Sequence, residues 1–304
     1  MARHHFAPTQ YSNVLATLPP VLEIASGDSV VTTTLDAAGF GGDGAQHAPR
    51  GNPMTGPFFV TGAEPGDALL VTIERMTPNR KTGWTYSPLA PGVLDPGMLH
   101  ELPKRERYEW AVDAQAGTVK LLEPSAWIKG WSFPLAPMMG CFGVAPERGQ
   151  AISTATSGAN GGNMDYRLFG PGATIAFPVF VDGALFFLGD CHAVQGDGEL
   201  CGIGAIEIRT HTTVRLDLAT RPERMTWPRF ETDEHIGTIA CARPLEDAFR
   251  TAVEQLVYWM ADEHDFTEPD ALMLLGQVAE ARCTQMVNPK YTYVAKIAKR
   301  YLGR

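Results

Sequence analysis

Hydrophobic and polar positions alternate along much of the chain, and this pattern predicts many short β-strands. Residues 68–76 alternate leucine, valine and isoleucine with polar neighbours, as a half-buried strand does. Ser29–Leu35 is rich in valine and threonine, and Ala173–Val181 is apolar, so both also predict strands. Asp182-Gly183 separates the apolar strand from Ala184–Leu188, which predicts a two-residue hairpin. Residues 77–110 contain several prolines and glycines and are expected to be irregular.

Helical spacing is confined to the last third of the chain. Residues 245–262 carry apolar side chains at helical spacing, namely Leu245, Phe249, Val253, Leu256 and Met260. Thr267 can cap a second helix that runs towards Cys283, and Asn288-Pro289 interrupts the pattern. Tyr291–Ile297 then predicts a final strand. The predicted fold class is therefore α+β and strand-dominated, with the helices segregated late.

The composition is that of a soluble globular protein, with 44% hydrophobic and 19% charged residues. The 34 acidic and 25 basic residues give a net charge of −9. Nonspecific nucleic-acid binding requires a basic surface, so we expect no nucleic-acid partner. No apolar run reaches the roughly 18 residues of a membrane helix, and we expect no membrane span.

The five cysteines are widely spaced and form no Cys-x-x-Cys pair. Neither a zinc ribbon nor a disulfide scaffold is therefore indicated. Reduced, mostly buried thiols are typical of cytoplasmic proteins. Residues 1–11 lack the basic and then apolar pattern of a signal peptide, which favours the same location.

The first segment with polar residues that the strand pattern does not explain is the glycine-rich segment 157–165. Gly161 and Gly162 precede Asn163, and backbone N–H groups of such a segment can point at an anion or an oxyanion. Asp165 can then act as a metal ligand or as a general base. A loop capped by Asn and Asp side chains would give the same sequence without any such function.

A second polar segment, residues 189–199, follows an apolar strand directly. If the strand continues, Asp190 and His192 lie two positions apart and share a face, an arrangement that suits Zn²⁺ or a related divalent ion. Asp197 and Glu199 repeat this spacing after a glycine, and one of them can handle protons for an activated water. The structural alternative is a strand end followed by a tight turn.

Two other positions bear on the site. Asp36 follows a run of threonines after an early strand and can reach the same site from there. Cys191 is adjacent to His192, but neighbouring strand residues point to opposite faces. We therefore expect Cys191 to be a buried structural thiol rather than a nucleophile.

Several segments occur together in one order along the chain: Gly27–Val30, Asn52–Pro57, Gly62–Asp67, Gly161–Asp165, Gly189–Ala193, Gln195–Glu199 and Thr284–Pro289. Together they resemble the acetamidase/formamidase family, and its shorter, acetamidase-like branch in particular. The part between Gly189 and Glu199 is the most specific. The resemblance covers most of the chain, although residues 78–110 and 227–243 match less clearly and can alter the substrate if they line the pocket.

The resemblance implies hydrolysis of a small linear amide, such as acetamide or formamide, to a carboxylate and ammonia. It also implies β-sandwich or barrel-like parts, bound metal, and a homodimer or higher homo-oligomer. On this basis residues 1–220 form a strand-rich region that carries the site. Residues 221–304 form a helical α+β portion packed on it, unless both belong to one compact unit.

A mechanistic hypothesis assigns the polar residues to roles. Those expected to hold a divalent ion, zinc in the first place, are Asp190, His192, Asp165 and Asp36; a second, structural ion such as calcium can bind in addition. Those expected to act in acid–base catalysis are Glu199, Asp165 and Asp197. Those expected to contact the substrate or stabilise the oxyanion are Gly161, Gly162 and Asn163.

Other functions remain open at this point. The chain can be a β-rich metal-binding or small-ligand-binding protein without amidase activity, or a hydrolase of a different small C–N substrate. Ser-Ser-Lys amidases require a Gly-Gly-Ser-Ser stretch, whereas Gly162 is followed here by Asn163.

Overall fold

The structure, a computed structural model, describes residues 1–87, 92–126, 128–201, 203 and 206–303. Strands make up 42% and helices 14% of it, which confirms the strand-dominated α+β prediction. The strands are, in chain order, β1 (Arg3–His5), β2 (Val14–Ala16), β3 (Leu22–Ala25), β4 (Asp28–Thr33), β5 (Thr55–Thr61), β6 (Asp67–Pro78), β7 (Thr82–Ser87), β8 (Glu106–Asp113), β9 (Thr118–Leu121), β10 (Phe133–Pro134), β11 (Met138–Gly143), β12 (Ala151–Ser153), β13 (Ser157–Gly158), β14 (Gly161–Asn163), β15 (Thr174–Pro178), β16 (Phe186–His192), β17 (Glu207–Ile208), β18 (Thr210–Thr220), β19 (Arg229–Glu231), β20 (His235–Ala242), β21 (Glu280–Gln285) and β22 (Tyr291–Ala298). The α-helices are α1 (Pro96–Leu99), α2 (Leu245–Glu263) and α3 (Glu268–Val278).

Two large sheets form the body of the protein. One has nine strands in the order β1-β4-β18-β6-β15-β19-β20-β22-β21. The other has eleven strands, in which β10-β9-β8-β7-β17-β16-β11-β14-β13 form the main path and β5 and β3 branch from β16. β2 and β12 pair separately.

The main hydrophobic core lies between the two large sheets. Val71 on β6 and Val214 on β18 belong to the same buried cluster as Phe142 on β11 and Leu188 on β16. Phe142 also meets Phe177 on β15 edge to face, with the ring centroids 5.4 Å apart. Two sheets that bury apolar faces against each other form a β-sandwich, the architecture that the resemblance implies.

The long C-terminal helix covers the outer face of the nine-stranded sheet. Leu256 and Met260 on α2 pack with Ile236 on β20 and Ile297 on β22 in a second buried cluster. The neighbouring Ile239 points to the inter-sheet core instead, as strand alternation requires. The predicted helix over 245–262 is confirmed as Leu245–Glu263.

Three local predictions are wrong. β15 and β16 form no hairpin: they lie in different sheets, because Ala184 and Leu185 adopt positive φ (57° and 55°) and carry the chain across the sandwich. Residues 77–110 are not irregular throughout, since β7 and β8 pair antiparallel there; residues 88–91 lie outside the described part. The helix predicted towards Cys283 ends at Val278, and β21 follows as an edge strand paired with β22.

The division near residue 220 stays a prediction. β19 to β22, from the C-terminal portion, continue the same sheet that contains β1, β4, β6 and β15. In the described part of the chain, no helix is long and apolar enough to cross a bilayer.

Candidate active site

A cavity of about 150 Å³ lies beside four strands of the eleven-stranded sheet, β7, β14, β16 and β17. Six chain segments that are separated in sequence supply its walls. The lining residues are Ala37, Arg50, Gly51, Asn52, Trp84, Ala155, Asn163, Asp190, Glu199, Ile203, Glu207 and Asn288. A wall built from so many segments depends on the complete fold, so the cavity forms only when the sandwich closes.

Three adjacent strands bring Asp165, Asp190 and His192 together beside this cavity. β11 lies between β14, which leads into Asp165, and β16, which ends in Asp190 and His192. The carbonyl oxygen of Gly140 on β11 accepts the backbone N–H of Asp165 at 3.1 Å. A Cβ at Gly140 would lie 2.6 Å from Asp165 Oδ1 and 3.1 Å from His192 Cε1, so only glycine leaves space for the group.

The three side chains converge on one point. One ligand atom from each of Asp165, Asp190 and His192 lies within 4.8 Å of the other two. All three residues are at most 2% exposed. In the part of the chain that is described, Asp165 Oδ1, Asp190 Oδ1 and His192 Nε2 make no hydrogen bond. Buried polar atoms without hydrogen bonds are costly, and three of them this close together could hold a metal ion.

The donor set fits a divalent ion such as zinc. Zinc takes carboxylate oxygen and imidazole nitrogen at about 2 Å, which places tetrahedral ligands roughly 3.3 Å apart. Asp190 Oδ1 and His192 Nε2 are 3.6 Å apart. Two carboxylates and one imidazole also leave a position for a water or a substrate, as catalytic zinc sites do.

Gln195 fixes the orientation of the imidazole. Its Nε2 donates to the backbone carbonyl of Asp165 at 2.7 Å, so its Oε1 is the atom that faces His192 Nδ1 at 2.8 Å. Because Oε1 can only accept, Nδ1 carries the hydrogen. In the neutral ring Nε2 then presents its lone pair to the point shared with the two carboxylates.

Two asparagines fix the outer oxygens of the carboxylates. Asn288 Nδ2 donates to Asp165 Oδ2 at 2.7 Å, and Asn52 Nδ2 donates to Asp190 Oδ2 at 3.0 Å. Each carboxylate therefore has one oxygen held by an asparagine and one directed at the common point. This arrangement prepares both aspartates to bind an ion through a single oxygen.

Backbone strain is concentrated at the same place. Asn52, Asp165, Asp190 and Glu199 have φ values of 55°, 47°, 50° and 48°. Residues other than glycine rarely adopt this left-handed region, and such strain clusters at functional sites. The surrounding fold therefore holds these side chains in positions that regular strands would not give them.

The electrostatics of the group are dominated by negative charge. Burial, opposed by His192, raises the pKa of Asp165 to about 7. Burial and then the charge of Asp190 raise the pKa of Glu207 to about 7. Burial and then Asp165 raise the pKa of Glu199 well above its usual range. Burial acts to lower the pKa of His192, but Glu207 and Asp190 outweigh it and raise that pKa well above its usual value. A divalent cation would offset this excess of acids.

Glu199 lies in the same group as Asp165, Asp190 and His192. Its side chain is buried, lines the cavity and hydrogen-bonds with Asp165. It reaches this position because Gly198 and Glu199 both have positive φ and turn the chain inward.

Asp197 lies outside the cavity. Its spacing from Glu199 predicted that both side chains share one face, as Asp190 and His192 do, but they do not. The same turn that directs Glu199 inward leaves Asp197 at the surface, 2.9 Å from Arg282 Nη1 and 3.3 Å from Arg167 Nε. Both carboxylate oxygens of Asp197 are thus paired with arginines, away from the cavity. The structure gives no support to its acid–base assignment.

Asp36 also lies apart from the three converging ligands. Its Oδ2 accepts from Trp84 Nε1 at 2.8 Å and from Arg209, and its Oδ1 accepts the backbone N–H of Phe40 at 2.9 Å. Both oxygens are thereby occupied, which leaves neither for a metal ion. Asp36 stabilises the wall that carries Trp84.

The glycine-rich segment contributes one side chain to the cavity. Gly161 and Gly162 lie in β14, where a Cβ would approach Phe142 O to 2.6 Å and Thr156 O to 2.5 Å respectively. Close packing of β14 against its neighbours is thus a sufficient reason for both glycines. Asn163 lines the cavity, and its backbone N–H donates to the carbonyl oxygen of Thr156 at 3.0 Å.

Four residues near the centre were missed as site residues: Asn52, Gln195, Glu207 and Asn288. Glu207 lies 3.3 Å from His192 Nε2, and the sequence signal for it is an acid between two isoleucines, Ile206 and Ile208. Asn52 and Asn288 each precede a proline, a pattern that favours a turn. Nothing in their local sequence shows that the fold brings them to the same two carboxylates.

Comparison with known proteins agrees with the resemblance in the sequence. A sequence model of the Acetamidase/Formamidase family matches residues 16–150 and 148–298. The acetamidase of Mycolicibacterium smegmatis is 30% identical in an alignment of 220 residues, and the match covers 54% of this chain and 53% of that protein. The chain spans about half the length of the curated relatives that it matches.

Solved structures are similar over nearly the whole chain. An acetamidase from Yersinia enterocolitica has a TM-score of 0.85 and 33% identity, and the match covers 99% of this chain and 93% of that one. An acetamidase from Bacillus halodurans has a TM-score of 0.85 and 28% identity, with 98% of each chain covered. The fold, the order of the segments and the family match together show that this chain belongs to the acetamidase/formamidase family.

Proposed function

We propose that this protein is a metal-dependent amidohydrolase that cleaves a short linear amide, of the acetamide or formamide type, to a carboxylate and ammonia. The observation that carries the proposal is the convergence of Asp165 Oδ1, Asp190 Oδ1 and His192 Nε2 beside the cavity, all buried and without a hydrogen bond in the described part of the chain. The names of the similar proteins, acetamidases among them, support the choice of an amide.

Asp165, Asp190 and His192 would hold the ion, and we propose zinc. When bound, it would supply Lewis-acid polarisation of the amide carbonyl and acidify a water molecule. The chain positions these ligands in advance: Gln195 sets the tautomer of His192, and the two asparagines hold the outer carboxylate oxygens. Preorganisation of this kind avoids reorganisation during the reaction.

Glu199 is the proposed proton carrier. Its carboxylate would accept a proton from the attacking water while the water oxygen forms a bond to the carbonyl carbon. The protonated carboxyl group of Glu199 would then donate that proton to the amide nitrogen as the C–N bond breaks. The products are a carboxylic acid, which ionises, and ammonia. The side chain of Asn163 would donate to the carbonyl oxygen as it gains charge.

The volume of the cavity favours a small substrate. One water molecule needs on the order of 10–15 Å³ of cavity volume. A cavity of about 150 Å³ therefore accommodates a molecule of a few non-hydrogen atoms together with some water. Trp84 and Ile203 supply apolar surface beside the acids, which suits a short alkyl or hydrogen substituent on the carbonyl.

We also propose a cytoplasmic, homo-oligomeric enzyme, a homodimer being the smallest such assembly. All five cysteines are free and three of them are buried, as expected in a reducing compartment. Light scattering on the purified chain measures the assembly, and a monomer at micromolar concentration would contradict this part.

The test of the activity is ammonia release from formamide, acetamide and propionamide. It is measured before chelation, after chelation and after zinc is added back, with metal content determined in parallel. Release that disappears with the chelator and returns with zinc is the expected result. Release that persists in metal-free protein would contradict metal dependence. Bound zinc without release from any amide would favour a metal-binding protein of the same fold.

A further inference from the structure

A second cavity, of about 270 Å³, lies on the outer face of the nine-stranded sheet, beside α2. Its floor includes one row of that sheet, in which Leu70 on β6 pairs with Ala176 on β15, and Ala176 pairs with Arg229 on β19. The alternate residues Ile175 and Phe177 belong to the core between the sheets, so this row faces outward. Among the residues that the structure describes, this outer cavity and the candidate active-site cavity share no lining residue.

The walls of the outer cavity are largely apolar. Pro222 and Met225 contribute from the segment between β18 and β19, and Trp259 contributes from α2. Leu70 and Ala176 on the floor are only half-buried. Apolar surface in a concave site is therefore available to the hydrocarbon part of a ligand.

One buried cation, Arg229, is part of this wall. Its side chain is 3% exposed, and its Nη1 donates to Glu263 Oε1 at 2.5 Å. Within the described chain, its Nε and Nη2 make no hydrogen bond. Buried N–H groups need an acceptor, and the cavity that Arg229 lines is a place from which one can come.

The two nitrogens without hydrogen bonds form one edge of the planar guanidinium. The N–H of Nε and one N–H of Nη2 point in the same direction, and such an edge binds the two oxygens of a carboxylate through parallel hydrogen bonds. The guanidinium carbon lies 5.0 Å from the centre of the Trp259 ring, which supports the plane of the group. Burial lowers the pKa of Arg229, and the charge of Glu263 offsets this only in part, so a second anion would further stabilise the cation.

We propose that the outer cavity binds a monocarboxylate with a short hydrocarbon chain. Its carboxylate accepts from Nε and Nη2 of Arg229, and its chain lies against Leu70 and Met225. A cavity of about 270 Å³ accommodates about ten non-hydrogen atoms with some water, which corresponds to a chain of about six to eight carbons. Inorganic phosphate fits less well, because its remaining oxygens would face apolar walls. This site is independent of the proposed amide hydrolysis.

The experiment is isothermal titration calorimetry of the full chain with butyrate, hexanoate and octanoate, which vary the chain at constant charge. Hexan-1-ol tests the chain without the charge, and inorganic phosphate tests the charge without the chain. Each titration is repeated after chelation and after zinc is added back. A carboxylate held by Arg229 does not depend on zinc, whereas one bound at the proposed ion does.

Three variants test the two parts of the site. Arg229→Lys keeps the positive charge but removes the planar edge. Arg224→Lys is the matched control, because Arg224 also pairs with carboxylates, those of Asp262 and Glu268, but does not line the cavity. Ala176→Leu fills part of the cavity without changing its charge, at a half-buried position that can accept a larger side chain. Thermal unfolding is recorded for each variant.

We expect the affinity to rise about fourfold for each methylene added from butyrate to octanoate. Hexan-1-ol should bind at least about tenfold more weakly than hexanoate, because it lacks the charged acceptor. Arg229→Lys should weaken hexanoate binding at least about tenfold, and Arg224→Lys should leave it unchanged. Ala176→Leu should weaken octanoate binding more than butyrate binding. If Arg229→Lys does not fold, Ala176→Leu decides, and an unchanged octanoate affinity in that variant overturns the assignment.

Several results would overturn the proposal. Equal affinities for hexan-1-ol and hexanoate would show that only the apolar walls bind, and equal affinities for phosphate and octanoate would show a general anion site. Hexanoate binding that requires zinc, or that is unchanged in Arg229→Lys, would place the carboxylate elsewhere. No binding at millimolar hexanoate would show that this edge of Arg229 is not accessible to a ligand. Failure of ammonia release from every amide would remove the proposed function and leave carboxylate binding unaffected.

Discussion

Two clusters of charged residues lie on either side of one turn, and their surroundings are opposite. Glu199 faces inward and joins Asp165 and Asp190, and His192 is the neighbouring base of this group. Asp197, two residues earlier, faces outward into an outer cluster in which Arg167, Arg282, Lys296, Asp197 and Glu280 pair with one another.

The difference shows why an acid-rich sequence does not by itself identify a catalytic group. Burial raises the pKa of Asp165 and of Glu199, whereas hydrogen bonds from Lys296 and then Arg282, opposed by burial, lower the pKa of Glu280 to about 2. The outer acids have protein cations as partners and stabilise the fold. The inner acids surround one imidazole, that of His192, so we expect an ion or a proton to balance the remaining charge.

The largest expected effect comes from His192→Ala, which removes the imidazole from the inner cluster. Two carboxylates alone bind zinc weakly, and several kcal/mol of transition-state stabilisation are lost with the ion. We expect zinc content to fall below stoichiometric and ammonia release to drop on the order of 10³-fold or more. Metal analysis and turnover are measured on the same preparation.

Asp197→Asn is the control for that comparison, because it changes an acid of the outer cluster. Its zinc content and turnover should stay close to those of the wild type. Stoichiometric zinc and full turnover in His192→Ala would refute the ligand assignment.

Glu199→Gln separates proton transfer from metal binding within the inner cluster. Glutamine keeps the size of the side chain and a hydrogen-bond acceptor but cannot carry the proton. Positioned acid–base groups contribute about 10²–10⁴-fold, so kcat should fall by that factor while zinc content is retained. Loss of zinc together with activity would instead make Glu199 a ligand.

The fold was predictable where a single local pattern decides the structure. α2 was predicted from the spacing of its apolar residues, and β22 from its position after Asn288-Pro289. The hairpin at Asp182-Gly183 was not, because turn chemistry reports the local bend and not which sheet each strand joins. The positive φ of Ala184 and Leu185 is imposed by packing, which no local propensity indicates.

The candidate site was predictable in part for the same reason. Asp190 and His192 share a strand, and Glu199 follows in the same segment, so sequence spacing could bring them together. Asn52 and Asn288 come from turns 236 positions apart in the chain numbering (288 − 52), and only the closed sandwich places them on the two aspartates. The sequence also favours Asp36 as a metal ligand, but in the structure its carboxylate accepts a hydrogen bond from Trp84 and forms an ion pair with Arg209.

Asp36→Asn tests whether that carboxylate belongs with the structural acids. Arg209 is 2% exposed, and loss of its partner leaves a buried cation uncompensated. Breaking such a pair costs about 3–5 kcal/mol, which denaturant unfolding measures. The folded variant should still bind zinc stoichiometrically. A stable variant without bound zinc would instead identify Asp36 as a metal ligand.

The smallest effect belongs to Glu280→Gln in the outer cluster, and it is visible as a pH dependence. The Lys296 hydrogen bond, against some burial, and then Arg282 lower the pKa of Glu280 to about 2 in the folded protein. A lowered pKa stabilises the fold above the unfolded value, near 4.3, and this stabilisation is lost as the pH falls towards 2. Since 41% of the side chain is exposed, solvent screening limits the gain in stability to about 1 kcal/mol or less.

The difference in Tm between the wild type and Glu280→Gln should therefore be constant from pH 5 to 7 and shrink between about pH 4.3 and 3. Added salt should reduce this difference at every pH. A difference that stays constant down to pH 3 would show that Glu280 contributes by packing, and the charge balance of the outer cluster would then not explain its stability.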